Sequence, residues 1–217
     1  MDSALTELQR RVTEEFFARE QRFVLTGGGA LCGFLLGHRT TKDLDLFSTQ
    51  PLMEDGDRAL RAAADAVGAA VEVKVSAPTF RRYLLRTQRD TVVIDLVHDR
   101  APKGPTPHIR FGAVIVDAPE EIMANKLCTL LSRSEVRDLV DVLALDRSGV
   151  RVEDAMAVGL TKDGGLTPAQ LSWVLSEISL GDDARIPGGY SPAEMRAFLV
   201  ELRARLGRMS WPTLGTK

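Results

Sequence analysis

Apolar positions recur along this chain with two different periods, and the change from one to the other divides it. Leu5, Leu8, Val12, Phe16 and Phe17 are spaced as one face of a helix, which predicts a helix over residues 3–19. A short strand, Phe23–Thr26, then runs into three glycines, and Ala30–Leu36 reads as a short apolar helix. Asp43–Phe47 alternates as a second strand, and the alanine-rich segment 57–67 is helical. Val71–Val75, Phe80–Thr87, Thr91–Val97 and Ala113–Val116 complete a set of strands. Beyond Asp117-Ala118-Pro119-Glu120, a helix-start signature, every pattern is helical: residues 119–132, 135–147, 151–158, 167–179 and 191–206. Thr167-Pro168 and the capping box Ser191–Glu194 open two of these helices, and residues 181–190 read as a loop. Strands followed by helices predict an α+β chain with two lobes, residues 1–117 and 118–217.

Bulk properties narrow the picture only a little. The 217 residues suffice for one large domain or two small ones, and 44% hydrophobic with 27% charged residues is ordinary for a soluble globular protein. A net charge of −2 excludes a globally basic nucleic-acid binder but leaves local basic patches open. The N-terminal residues carry acids and no continuous apolar run, so no signal peptide is expected, and no segment is long and apolar enough for a membrane span. Cys32 and Cys128 stand far apart in apolar surroundings, as buried free thiols do in a reducing, cytoplasmic setting.

The chemistry begins with DLDLFS. Asp43 and Asp45 share one strand face while Leu44 and Leu46 take the other, and Asp is depleted in strands. Two like charges side by side call for something that offsets their repulsion, and a bound cation is the simplest candidate. Asp95 is a third acid, alone in the apolar run Thr91–Val97. If its strand lies beside Asp43–Phe47, three carboxylates converge, as in sites where hard cations meet substrate phosphates. A turn through Gly27-Gly28-Gly29 brings backbone N–H groups close to a ligand, and the helix after it presents a natural anion site. Taken singly, the acids also fit an exposed edge strand or a capped strand end.

Gly27-Gly28-x-Ala30-Leu31 followed by Arg39-x-Thr41-x-Asp43-Leu44-Asp45 resembles the nucleotidyltransferase signature of the AbiEii/AbiGii toxin family, within the polymerase-β-like superfamily. Asp95 matches the superfamily's third strand carboxylate. Lys126-Leu127, Arg133 and Arg137-Asp138-Leu139-Val140-Asp141 are similar to the family's later motif. Gly29 stands where the family often carries Thr or Ser, which would remove one hydroxyl contact to phosphate. The resemblance implies a minimal nucleotidyltransferase lobe followed by helices. It implies transfer of NMP from an NTP with Mg²⁺, or Mn²⁺ in its place, by the toxin of a toxin–antitoxin or phage-defence pair. Some members modify tRNA ends, so tRNA is the expected acceptor and an antitoxin the expected partner. Carried over, Asp43, Asp45 and Asp95 ligate metal. Gly27, Gly28, Arg39, Thr41, Lys126, Arg133 and Arg137 hold the nucleotide, and Lys126 and Asp138 join the catalytic set.

On one continuous helix, Lys126, Arg133 and Arg137 would fall within about 20° of a single line, a stripe suited to a triphosphate. An ordinary solvated helix face is the alternative, and a break near Ser132–Ser134 would spoil the alignment. Arg137 and Asp141 stand at pairing distance on such a helix. Arg81, Arg82, Arg86 and Arg89, with no acid among them, read either as an edge-protecting strand face or as a patch for an RNA backbone. His38 and His98 read as incidental. Two other functions stay open: a catalytically silent nucleotide-binding interaction subunit, and nucleotidylation of a small molecule or a protein.

Overall fold

A seven-stranded mixed sheet organises the first half of the chain in the computed structural model, which describes residues 4–210. Ser3, where the sequence starts its first helix, lies outside the described residues. Helix α1 (Glu7–Phe17) opens on a capping box in which Thr6 and Gln9 satisfy each other's backbone N–H groups. Then come β1 (Val24–Thr26), α2 (Gly27–Ala30) continuing as a π-helical turn over Leu31–Leu35, β2 (Asp43–Ser48) and α3 (Met53–Val67). Strands β3 (Ala70–Ala77), β4 (Phe80–Arg86) and β5 (Thr91–His98) form a meander, and β6 (Ile109–Phe111) and β7 (Val114–Val116) a hairpin. The strand order is β3-β4-β5-β2-β1-β7-β6. β6 is the one strand with no counterpart in the sequence reading, which began only at Ala113.

One sheet face is apolar and covered. Leu44, Leu46, Ile94, Leu96, Tyr83 and Leu85 are buried there, and α1 and α3 pack against it. Phe23 is fully buried and meets Phe16 edge-on at 5.6 Å between ring centres, while Tyr83 Oη donates to Asp57 on α3 at 2.7 Å. The opposite face carries Asp43 and Asp45, the intermediate members of the alternating pattern in β2.

Five long helices make up the second unit: α4 (Pro119–Arg133), α5 (Val136–Arg147), α6 (Val152–Lys162), α7 (Pro168–Ser176) and α8 (Pro192–Ser210). Thr167 caps α7 and the Ser191–Glu194 capping box opens α8 as their sequences prescribe. The chain divides into residues up to Ala101 with Pro105–Ala118, and Pro102–Gly104 with everything from Pro119 onward. Pro102–Gly104 is a strap bound to the helices. Buried Glu121 accepts from Gly104 N at 2.9 Å and from Lys162 Nζ at 2.6 Å, Lys103 Nζ stands 3.3 Å from it, and Lys162 also donates to Pro102 O.

α4 and α5 are not one helix. Ser134 takes a φ of +47°, a left-handed conformation uncommon outside glycine, and its hydroxyl donates to Leu130 O at 2.8 Å. Beyond the break, a buried ion cluster ties the two helices together. Lys126 Nζ lies 2.7 Å from Asp138 and 2.6 Å from Asp141, both fully buried, and Arg133 Nε donates to Asp138 at 2.9 Å. Burial pulls the Lys126 ammonium down, but the two carboxylates more than reverse this and leave it above its ordinary value. Burial likewise pushes Asp138 up, and Lys126 with Arg133 overcomes it, so its carboxyl sits below the usual range.

Two outcomes are expected in urea unfolding. Phe23→Ala should lower stability by about 3–5 kcal/mol, the usual cost of emptying a packed aromatic site. Asp138→Asn should cost about 3 kcal/mol at neutral pH, because it leaves buried Lys126 undercompensated. Since the Asp138 carboxyl is depressed in the folded state, its contribution is complete above the unfolded value of about 4 and fades as pH falls through the folded one. The gap between wild type and Asp138→Asn should therefore stay constant from pH 8 to about 5 and narrow in stronger acid.

Candidate nucleotidyl-transfer site

The uncovered sheet face gathers the acids by register. β1 pairs antiparallel with β2, setting Thr26 opposite Asp45; β2 pairs parallel with β5, setting Asp45 opposite Asp95; β5 pairs antiparallel with β4, setting Asp95 opposite Arg82. Directly opposed residues share a face, so Thr26, Asp45, Asp95 and Arg82 form one row across four strands. Asp43 lies one face-step along β2. The predicted neighbourhood of the two acidic strands is thus observed, with Asp45 and not Asp43 facing Asp95.

Glycines bring α2 down onto this row. The sequence suggests a turn through Gly27–Gly29 with a helix from Ala30, but the helix begins on the glycines themselves. Gly27 holds a φ of +61°, and a Cβ there would stand 2.3 Å from Asp45 Oδ2. At Gly28 a Cβ would come within 3.0 Å of Thr41 Oγ1 and 3.1 Å of an Arg39 guanidinium nitrogen. Gly27 thus lies against Asp45, and Gly28 against Thr41 and Arg39. Gly29 faces elsewhere: its Cβ would press on Leu44 and Leu25 in the core.

Thr41 Oγ1 donates to Asp43 Oδ1 at 2.7 Å, and buried Gln9 donates from Nε2 to Thr41 O at 3.0 Å. Gln9 thus fixes the loop that carries Thr41, a role that the α1 pattern does not disclose. Thr26 Oγ1 is buried and, among the described residues, has no hydrogen-bond partner. Carboxylates and hydroxyls are hard oxygen donors, a set that suits Mg²⁺ or Mn²⁺ and not a soft metal. The fit is partial as the side chains stand, because among the described residues no three acids, histidines or cysteines are gathered into a metal cage.

Asp95 already has a partner in Arg82. Arg82 forks the buried carboxylate, Nε to Oδ1 at 2.8 Å and Nη2 to Oδ2 at 2.6 Å. Asp95, with Asp43 and Asp45 acting at longer range, holds the guanidinium above its ordinary pKa. The four arginines of Phe80–Arg89 accordingly do not make one strip. Strand alternation sends Arg81 to the covered face, where it pairs with Glu54. Arg82 is committed to Asp95, Arg86 is exposed near Glu72 at 3.7 Å, and exposed Arg89 lies in the turn before β5.

In the helical unit, the break at Ser134 removes the single stripe that one continuous helix would have given Lys126, Arg133 and Arg137, the outcome named for a break near Ser132–Ser134. Lys126 and Arg133 instead converge on Asp138, and Arg137 Nε meets Glu135 at 2.6 Å. Lys126 is buried, whereas Arg133 and Arg137 are each about 40% exposed or more.

Solved structures share this fold. JHP933 from Helicobacter pylori superposes with a TM-score of 0.64 at 20% identity, covering 93% of this chain and 90% of that one. MenT4, the nucleotidyltransferase toxin Rv2826c from Mycobacterium tuberculosis H37Rv, gives a TM-score of 0.61 at 16% identity, covering 94% and 82%. No curated protein matches the sequence. The profile described as "Nucleotidyl transferase AbiEii toxin, Type IV TA system" matches residues 13–209, nearly the whole length. The chain belongs to the AbiEii family of nucleotidyl transferase toxins of type IV toxin–antitoxin systems, which implies an NTP substrate and an antitoxin partner.

Proposed function

We propose that the protein transfers NMP from an NTP to an RNA acceptor, tRNA in particular, in the cytoplasm, in a Mg²⁺-dependent reaction that its antitoxin counters. The observation that carries this reading is the opposition of Asp45 and Asp95 on adjacent parallel strands, beneath a glycine-led helix flanked by Arg39 and Thr41. Asp43 and Asp45 would hold Mg²⁺ (Mn²⁺ being the alternative), and Asp95 would complete the set. The ion would supply neutralisation of charge developing on the transferred phosphoryl group.

The chain's own residues do the rest. Backbone N–H groups at Gly27 and Gly28, with Arg39 and Thr41, hold the phosphates. Asp95 takes the proton of the attacking acceptor hydroxyl as its oxygen bonds to the α-phosphorus and pyrophosphate leaves. Arg133 and Arg137 are assigned to the anionic substrate. Lys126 and Asp138 hold the α4–α5 junction that carries them, a positioning role consistent with the burial of that pair. The acceptor contact is assigned to Arg86 and Arg89, the two members of the arginine group clear of the covered face and of Asp95.

Asp45→Asn should reduce labelling of total tRNA from [α-³²P]NTP by roughly 10²–10⁴-fold, the range for losing a participating carboxylate, with the urea midpoint little changed. Undiminished labelling would remove the acids from the reaction. Replacing Arg86 and Arg89 together with Glu should raise the KM for tRNA roughly tenfold at low ionic strength and leave the KM for NTP unchanged, the difference shrinking as salt rises. Label appearing in a protein or a small molecule, with none in RNA, would reassign the acceptor.

A further inference from the structure

The row Thr26–Asp45–Asp95–Arg82 ends in a guanidinium, so one of the three acids already has a counter-ion supplied by the fold. The pair is lopsided. Asp95 is 5% exposed and lies mid-strand on β5 between β4 and β2, so its carboxylate has nowhere to turn. The Arg82 side chain is 46% exposed, and its guanidinium carbon lies 5.5 Å from the centre of the Phe80 ring. Arg82 is therefore the partner that can leave, by rotating one long side chain toward solvent along an aromatic neighbour, with no change in the sheet.

While the fork is closed, a divalent cation arriving at Asp43 and Asp45 meets two negative charges and not three. We propose that Arg82 is the resting counter-ion of the carboxylate site: it holds Asp95 until a divalent cation displaces it, and so sets the cation concentration at which the three acids come into use. The inference rests on the nucleotidyltransferase reading of Asp43, Asp45 and Asp95 and adds a positioning residue to it. It also separates Arg82 from the exposed Arg86, which the sequence groups with it on one strand face.

The test is equilibrium binding of Mn²⁺ alone to the full chain, without nucleotide, read from the electron paramagnetic resonance signal of free Mn²⁺ at low ionic strength. Arg82→Met keeps the stem and removes the competing charge. It should bind Mn²⁺ about tenfold more tightly than wild type or better, the equilibrium equivalent of losing a charge-assisted fork. Arg82→Lys keeps a cation without the fork and should shift affinity in the same direction by less. If Arg82→Met does not fold, Arg82→Lys decides alone. Asp45→Asn distinguishes this inference from the reading beneath it. If Asp45→Asn loses Mn²⁺ while the Arg82 variants bind it no better than wild type, the role of Arg82 is overturned and the acid site stands. If Asp45→Asn binds Mn²⁺ as wild type does, both are overturned.

Discussion

Parallel pairing of β2 with β5 is the constraint on which the candidate site depends. Six consecutive residue pairs run from Asp43–Val93 to Ser48–His98, and they set Asp45 opposite Asp95. That register is held from the other side of the sheet. Leu44, Leu46, Ile94 and Leu96 are buried on the covered face, where α1 and α3 pack on β5, and a slip of one residue would send the acids into that core and the leucines out of it. The covered face thus specifies the geometry of the open one, and α3 lies in the connection that parallel strands require. The glycines complete the arrangement by letting a helix start almost in contact with Asp45.

Several buried acids have a lysine or arginine from the fold beside them. Asp138 and Asp141 share Lys126, Glu121 holds Lys162 with Lys103 nearby, and Asp95 holds Arg82. The desolvation cost of these carboxylates would be large without such partners. Exposure of the cation distinguishes them. Lys126 and Lys162 are almost wholly enclosed and act as fixed ties between helices, while Arg82 reaches solvent.

Much of this was legible in the chain. Period-two alternation in DLDLFS places both aspartates on one face, as observed, and the isolated acid in TVVIDLV marks the neighbouring strand. Two of the helix starts in the second half, Thr167 and Ser191, were readable because caps are local chemistry. What escaped is non-local. Arg82 reads as surface charge until the β4–β5 register shows that it faces Asp95, and Arg81 differs from it only by the parity of the strand. β6 is three residues long in a proline-containing stretch, too short to declare a period. The separation of α4 from α5 was legible as two helical patterns with a break between them, but the left-handed conformation of Ser134 that makes the break is announced by no propensity of serine. Gln9 looked like any polar helix residue, and its hydrogen bond to Thr41 links positions far apart in sequence.

The strap at Pro102–Gly104 changes what a domain boundary means here. Between Ala101 and Pro119 the chain passes from the first unit to the second, back, and over again, three crossings in all. No single cut of the polypeptide therefore yields both units whole. A break after Ala118 strands Lys103 and Gly104 on the wrong fragment and strips buried Glu121 of two of its partners. The two units are each compact but interleaved as sequence, so an insertion or a recombination joint that respects the packing has to respect two places in the chain at once.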